Sequence, residues 1–434
     1  MVLLENESFD GIGKRIHEFM TNLYPICRSI TGNGVRDSLK QIKQYLPNLE
    51  IHEVPSGSEV FDWKIPNEWN IKDAFVKNSL GEKVIDFNNS NLHVLNYSTP
   101  IHTKLHLDEL KKHLFSLEKY PDWIPYKTSY YDQNWGFCLS HNQLINLPED
   151  EYEVSIDSSL ESGSLTYGEL LLKGETDDEV IFSTYVCHPS MCNDNLSGPT
   201  ILTYLAKEIS KRKTKLSYRF LFLPETIGAI TWLSINKNNL NKIKAGLVAT
   251  CLGDPGNFTY KKSKLEISYI DKITIKLLED NSSDFKIEEF KPFGSDERQY
   301  CSPGINLPIG SLMKTMYYKF PEYHTSADNL EFVTPKSLES SFLMYYKIYE
   351  TLEDNDYYEN LNPMCEPQLG KRGLRNNIGG PKETNNFQES IDWILNMSDG
   401  KNSLLDIAIK SNLNFELIKK CADILEKNQL IKKI

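Results

Sequence analysis

The sequence predicts an α/β protein whose main sheet is buried on both faces. Beyond residue 155, strand-like apolar runs alternate with stretches of helical periodicity. Uninterrupted apolar strands are typical of sheets that helices cover on both sides, so we expect a three-layer α/β/α arrangement. The predicted strands are GELLLKG (168–174), EVIFSTYVC (179–187), YRFLFLPE (218–225) and AGLVATCLG (245–253), and two predicted helices between them cover 198–213 and 229–239.

The remaining segments differ from this pattern. Two helices are predicted before residue 50, at 16–24 and 35–46, on either side of the breaker TGNG. The following stretch is rich in Trp, Tyr and Pro and holds short strand-like strings, which indicates a strand-rich insertion. A segment rich in Gly, Asn and Lys precedes three short amphipathic helices, which outline a small helix-turn-helix or winged-helix unit. The predicted organisation is a main α/β domain (1–53 and 139–365), an inserted β-rich domain (54–138), a linker (366–386) and a helical C-terminal domain (387–434).

Composition excludes several classes of protein. The formal net charge of -12 argues against a general nucleic-acid or anionic-membrane binder. No apolar run approaches the roughly 20 residues that span a bilayer, and acids stand where a signal peptide carries lysines, so we expect a cytoplasmic location. The eight cysteines are scattered through apolar strings, which favours reduced, buried thiols over a disulfide framework.

Polar side chains follow several of the predicted strands, where open α/β sheets place their sites. In CHPSMCNDNLSG, His188 follows a strand and Asp194 precedes the next helix. A histidine and a carboxylate on one loop suit a divalent metal such as zinc, although Asp194 alone could equally be a helix cap. A Cys/His zinc knuckle built on Cys187 and Cys192 lacks the second pair that it needs. Glu225 ends a strand of purely apolar residues and is either a paired buried acid or a general base.

Two further clusters complete the candidate site. In LVATCLGDPG, Cys251 and Asp254 end an apolar strand, but Asp before Pro-Gly is also what a turn requires. In PEYHTSADNLEFV, His324 stands in a polar loop with Asp328 close by. Each residue alone has an ordinary structural explanation. Histidines, carboxylates and an isolated glutamate that all end strands of one sheet are much harder to explain in that way.

Taken in order, these motifs resemble the zinc aminopeptidases, which have a phosphorylase/hydrolase-like α/β/α fold. The matching strings are CHP, DNLSG, PETIG, GSDERQYCSPGIN and YHTSADNLEFV, and CRSITGNG near the N-terminus adds to them. The likeness covers roughly 1–53 and 139–365. The inserted aromatic segment and the helical tail further resemble bacterial aminopeptidase-like proteins associated with polysaccharide biosynthesis.

The resemblance implies a role for each matching residue. It makes His188 and His324 terminal metal ligands, Asp194 a carboxylate that bridges two metals, and Glu225 the general base. Chemistry agrees, because zinc lowers the pKa of its water towards about 7 and a nearby glutamate can then take the proton.

The chain departs from the family pattern at two places. Thr226 stands where the family has a second acidic ligand, and either Cys251 or Asp254 aligns with the family's strand-end Asp. We therefore expect one zinc ion rather than two, held by His188, Asp194 and His324. A second ion would need Cys251 or Asp254 as one of its ligands.

Other residues point to substrate binding with less specificity. The resemblance places Asp296 and Arg298 in the pocket wall, where Arg298 could grip a carboxylate or phosphate, although a surface salt-bridged loop explains them as well. Trp63, Trp69, Trp123 and Trp135 could form a stacking wall or simply the core of the insertion.

The function expected from the sequence is therefore a zinc-dependent hydrolase of aminopeptidase type, acting on a peptide or another small amide. Two alternatives stay open: a deacylase of an amino sugar in polysaccharide biosynthesis, and a degenerate peptidase fold that acts as a binding or regulatory module. The acids in the C-terminal domain dilute its lysines, so a nucleic-acid partner is not expected. The C-terminal or inserted domain could instead mediate homo-oligomerisation.

Overall fold

The fold was analysed in a computed structural model, which describes residues 9–375 and 386–434. The predicted linker 366–386 thus lies partly outside the described residues. The chain divides into two compact units, one of residues up to 266 together with 286–343, the other of 267–285 and 344–434.

The strands are, in chain order, β1 (Glu50–Pro55), β2 (Glu59–Val60), β3 (Trp63–Lys64), β4 (Glu68–Lys77), β5 (Lys83–Asp86), β6 (Ile101–His106), β7 (Leu114–Phe115), β8 (Phe137–Cys138), β9 (Glu151–Glu161), β10 (Ser164–Leu172), β11 (Glu179–Tyr185), β12 (Ser217–Leu223), β13 (Ile243–Ala249), β14 (Phe258–Lys261), β15 (Phe285–Glu288), β16 (Ile309–Met313), β17 (Tyr357–Asn360), β18 (Asp399–Ser403) and β19 (Ile431–Lys433). The α-helices are α1 (Ile12–Leu23), α2 (Asn33–Tyr45), α3 (Leu107–Leu110), α4 (His141–Ile145), α5 (Ser197–Ile209), α6 (Ile227–Asn236), α7 (Tyr269–Asn281), α8 (Glu297–Tyr300), α9 (Pro335–Asp354), α10 (Asn386–Met397), α11 (Leu404–Ser411) and α12 (Phe415–Lys427).

A mixed eight-stranded sheet forms the centre of the first unit. Its order is β1-β10-β12-β11-β13-β16-β14-β15, and the four middle strands from β12 to β16 run parallel to one another. Phe182 lies in register between Phe220 and Leu247, and all three are fully buried. This burial on both faces explains the uninterrupted apolar runs, and the predicted α/β class is confirmed.

Strand register determines where the functional loops begin. The last pair of β11 and β12 joins Tyr185 to Leu223. His188 lies three residues beyond the first strand and Glu225 two residues beyond the second. Because these strands are parallel, both residues leave the sheet at the same edge.

The inserted region contains its own antiparallel sheet, of order β5-β4-β9-β6. The strand β9 of this sheet consists of residues 151–161, which lie beyond the boundary at 138 predicted from the change in composition. It belongs to this sheet because its alternating buried residues Tyr152, Val154 and Ile156 complete the sheet's core. The indole of Trp69 on β4 is buried in the core cluster of the main sheet.

The second unit contains the predicted helical domain. Helices α10, α11 and α12 are accompanied by a three-stranded sheet of order β18-β17-β19. A capping box between Ser403 and Asp406 starts α11, and the side chain of Asn414 caps α12. Three helices with a small antiparallel sheet form a winged helix-turn-helix, as the tail of the sequence predicts. None of the helices in the described residues combines the length and apolar character that a bilayer crossing requires.

Candidate metal centre and active site

The loop between β11 and α5 carries the first two candidate ligands. His188 is 5% exposed and Asp194 is 1% exposed. The Nε of buried Arg28 donates to the carbonyl oxygen of His188 at 2.7 Å, which fixes the backbone at that ligand. Asp194 does not cap a helix, because α5 begins after Leu196 and has no side-chain cap. The capping alternative is therefore wrong.

His324 joins these two residues across the sheet edge. One ligand atom from each of His188, Asp194 and His324 lies within 4.8 Å of the others, and His324 Nε2 is 2.8 Å from Asp194 Oδ2. Both of those atoms are buried, yet neither has a partner in hydrogen-bonding geometry. Buried polar atoms normally have partners. The unsatisfied atoms of His324 and Asp194 face one another beside the imidazole of His188, and this set fits a zinc ion that keeps an open position.

Electrostatics keep His188 and Asp194 in the protonation states that bind metal. Burial lowers the pKa of His188 to about 4, so its imidazole is neutral near pH 7. Burial alone would raise the pKa of Asp194, but His188 and His324 hold it below its usual value, and the carboxyl is ionised. Neutral imidazole and carboxylate are the forms that ligate zinc.

Outer hydrogen bonds orient the carboxylate of Asp194. The Tyr185 hydroxyl donates to Asp194 Oδ1 and lies 2.6 Å from the hydroxyl oxygen of Thr250. Asp194 therefore has one oxygen held by the protein and one that faces the histidines. Such supporting contacts tune metal affinity in known sites.

Asp328 holds the loop between β11 and α5, which carries His188 and Asp194. Its carboxylate accepts backbone N–H groups from Cys192 at 3.1 Å, Asn193 at 2.6 Å and Asp194 at 2.8 Å. Asp328 is itself fully buried. Four residues after His324, it thus ties together the two loops that carry the candidate metal ligands.

Glu225 lies beside this group, where the sequence predicts a general base. Its Oε2 is 3.7 Å from Nε2 of His188, and its backbone N–H donates to the Cys187 sulfur at 3.2 Å. Burial, reinforced by the negative charges of Asp296 and Asp194, raises the pKa of Glu225 well above its usual value. The Cys187 thiol thus positions the glutamate, and among the described residues neither Cys187 nor Cys192 belongs to a group of candidate ligands, which argues against the zinc-knuckle alternative.

The segment around α8 contacts the residue after Glu225. Asp296 Oδ1 accepts the backbone N–H of Thr226 at 2.7 Å, and Nη2 of Arg298 donates to the Thr226 hydroxyl at 3.1 Å. Thr226 has φ of 65°, in the left-handed region that β-branched residues rarely adopt. Burial raises the pKa of Asp296 to about 7. Asp296 and Arg298, predicted to bind substrate, therefore both contact Thr226, the residue next to Glu225.

Cys251 and Asp254 do not join the metal group in the described part of the chain. Both oxygens of Asp254 accept hydrogen bonds within the protein, from Asn193 Nδ2 at 3.0 Å, the Gly256 N–H at 2.7 Å and the Thr315 hydroxyl at 2.6 Å. The Cys251 thiol is buried, and burial raises its pKa well above the usual value. Neither is placed as a ligand beside the three others.

The insertion supplies residues that the sequence did not single out. The ring of Tyr126 lies 5.3 Å from that of His188 and 5.1 Å from that of His324, and its backbone N–H donates to the His324 carbonyl at 2.8 Å. Its hydroxyl is 2.8 Å from that of Tyr130. A cleft of about 220 Å³ runs past Tyr130 to Glu225 and Thr226. Aromatic richness marked this segment, but no local pattern indicated which rings face the site.

The fold places the protein in the aminopeptidase-like class. Three solved structures share the fold at low sequence identity. They are a zinc aminopeptidase from Bacillus subtilis (TM-score 0.57, 12% identity, 78% of this chain and 95% of that one), a peptidase M28 precursor from Shewanella amazonensis (0.55, 13%, 79% and 93%) and an aminopeptidase from Aneurinibacillus sp. strain AM-1 (0.51, 12%, 78% and 93%). At such identities the likeness concerns the fold.

The chain belongs to the family described as Domain of unknown function (DUF4910), whose profile matches residues 17–355, and residues 356–433 match the winged helix-turn-helix family HTH_47. A protein of Clostridium acetobutylicum is 56% identical over 420 residues, which cover 97% of this chain and 96% of that protein. Its name provisionally assigns it to polysaccharide biosynthesis and notes an aminopeptidase-like domain. A crystal structure from the same organism, provisionally described as a peptidase, matches with a TM-score of 0.93 and 54% identity over 98% of this chain and 97% of that one.

Proposed function

We propose that this protein is a zinc-dependent hydrolase of aminopeptidase type that cleaves an amide bond. The observation that carries the proposal is the convergence of His188, Asp194 and His324 within 4.8 Å, with Glu225 Oε2 a further 3.7 Å from the first of them. The aminopeptidase-like fold supports the same class of reaction.

His188, Asp194 and His324 would hold one metal ion. When bound there, zinc supplies Lewis-acid polarisation and a water of lowered pKa, about 7. A single ion is favoured because Asp254 accepts hydrogen bonds from Gly256 and Thr315 and the hydroxyl of Thr226 accepts from Arg298. Neither residue is left to complete a second set of ligands.

Glu225 is the proposed general base. Its raised pKa makes the carboxylate a stronger base than an ordinary glutamate, and a general base of this kind accepts a proton and then releases it to the leaving nitrogen. The Cys187 sulfur fixes its backbone. Arg298, held by Thr226, is positioned to donate to a polar group of the substrate.

The proposal is tested by replacing Glu225 with Gln. Zinc content measured by plasma mass spectrometry should stay at one ion per chain in Glu225→Gln. Turnover of a panel of aminoacyl-nitroanilides and N-acetyl sugars should fall by roughly 10²–10⁴, the range that general bases contribute. The matched control is Glu175→Gln, on the exposed turn after β10, which should behave as the wild type.

The panel includes N-acetyl sugars because of the Clostridium acetobutylicum relative. Its name connects a chain 56% identical to this one with polysaccharide biosynthesis, which favours an amino-sugar amide as a second candidate substrate. Zinc-free protein, or turnover that is the same in wild type and Glu225→Gln, would refute the hydrolase and leave the binding-module alternative.

A further inference from the structure

Two aromatic side chains of the insertion remain open to solvent at the mouth of the cleft. Trp63 on β3 is 41% exposed and Tyr131 is 50% exposed. Their ring centroids are 5.5 Å apart and the ring planes meet at 59°, so the two faces form an open angle. By contrast, Trp69 is 3% exposed, and Trp123 and Trp135 stack on neighbouring rings at 4.6 and 3.7 Å.

The exposed pair is connected to the candidate active site by contacts. Both rings line the same cleft as Glu225 and Thr226. Tyr130, next in the chain to Tyr131, lies 2.8 Å from the hydroxyl of Tyr126, the ring that stands beside both histidines. A ligand that rested on the pair would therefore extend towards the general base.

The cleft limits the size of such a ligand. Sites for drug-sized molecules measure about 300–1,000 Å³, and this cleft measures about 220 Å³. One ring with its substituents fits that space better than several linked residues. The lining of this cleft also includes apolar Ile30 and Ile227.

The open arrangement also favours one chemistry. A purely aliphatic side chain gains most from full enclosure, because the hydrophobic gain follows the area removed from water. A sugar ring has an apolar C–H face for stacking and a polar edge that must stay hydrated. Two aromatic faces that are open on one side satisfy both needs, since aromatic rings offer large contact area at little entropic cost.

Resting on the proposed hydrolase function, we propose that Trp63 and Tyr131 form the binding platform for a pyranose ring whose nitrogen substituent carries the scissile amide. In this reaction the bond between the acyl carbon and the sugar nitrogen breaks. Water supplies the hydroxyl that adds to the acyl carbon and the proton that passes through Glu225 to the nitrogen. The products are a carboxylate and an amino sugar.

Binding of a sugar to inactive full-length protein tests this platform separately from catalysis. The probe is the methyl glycoside of N-acetylglucosamine, titrated calorimetrically into the Glu225→Gln protein, with leucinamide as the peptide-type comparison. We expect binding of the sugar, with Kd at least tenfold higher in Trp63→Ala and in Tyr131→Ala. Trp63→Phe should stay within about threefold of the parent, because it keeps an aromatic face.

The control is Trp393→Phe, at a half-buried tryptophan of the second unit, which should leave Kd unchanged. Circular dichroism should show that the variants are folded, as expected for an exposed ring on a two-residue strand. No binding of the sugar, an unchanged Kd in Trp63→Ala, or leucinamide binding that depends on Trp63 without any sugar binding would overturn the platform. Because the readout is binding to a variant without the general base and not turnover, such a result leaves the hydrolase proposal standing, and lack of turnover leaves the platform standing.

Discussion

Replacing Asp328 with alanine should destabilise the ligand loop and weaken zinc binding together. The carboxylate accepts three backbone N–H groups of that loop. In Asp328→Ala the Cys192 N–H keeps the carbonyl oxygen of residue 328 at 3.0 Å, but those of Asn193 and Asp194 lose their acceptor. A buried donor without a partner costs about 1–3 kcal/mol, so the two together cost about 2–6 kcal/mol.

That loss is large against a typical free energy of unfolding of about 5–15 kcal/mol. It is measured by urea denaturation of the metal-free protein with tryptophan fluorescence, which reports mainly on the first unit because Trp393 is the only tryptophan of the second. Zinc affinity, measured by competition with a chromophoric chelator, should fall about 10–100-fold, as when outer contacts of metal ligands are removed.

The matched control is Asp150→Ala. Asp150 also accepts two backbone N–H groups, from Ser79 at 2.9 Å and Glu151 at 2.8 Å, but at an exposed position where water can replace it. Its loss should leave zinc affinity unchanged and shift the denaturation midpoint much less. Equal midpoints for the two variants, with equal zinc affinity, would refute the role given to Asp328.

Two further predictions concern single contacts. Arg36 holds Glu68 through two hydrogen bonds of 2.7 and 2.6 Å and lowers the pKa of that carboxyl from 4.5 to about 2. A depressed carboxyl pKa stabilises the fold above the unfolded value and loses that effect as pH falls from 4.5 through 2. Glu68→Gln should therefore lower the free energy of unfolding by about 1–2 kcal/mol at pH 7, a figure reduced for solvent screening. The denaturation midpoint, measured from pH 7 to 2.5, should also fall less steeply with pH in the variant than in the wild type. The same pH dependence in both proteins would contradict this. Tyr185→Phe removes the hydroxyl that donates to Asp194 and should weaken zinc binding about tenfold in the chelator competition assay. Equal zinc affinities of the variant and the wild type would contradict this prediction.

The sheet and the positions of the strand-end residues followed from local pattern. Apolar runs marked the buried strands, and parallel pairing of β11 with β12 then places His188 and Glu225 at one edge. The winged helix-turn-helix could also be predicted from the sequence, because its helices are short and amphipathic. Such patterns depend on neighbours in sequence, which a single chain displays directly.

Other features depend on distant partners and could not be decided in advance. For Asp254, turn and ligand were equally compatible with the sequence, and only the hydrogen bonds from Gly256 and Thr315 distinguish them. Tyr126 reaches the site because the chain pairs Pro125 with Thr325, two hundred residues later. The left-handed backbone of Thr226 likewise results from contacts with Asp296 and not from its own preference.

The pairing between the insertion and the His324 loop has a consequence for protein engineering. Ile124 exchanges hydrogen bonds with Ser326, and Tyr126 donates to the His324 carbonyl. The insertion is therefore not a cassette that can be excised or exchanged between relatives without effect. A truncated chain that lacked it would lose the Tyr126 ring that lies beside the two histidines of the candidate metal centre. Any graft of this site onto another aminopeptidase-like protein would have to include both paired segments, 124–126 and 324–326.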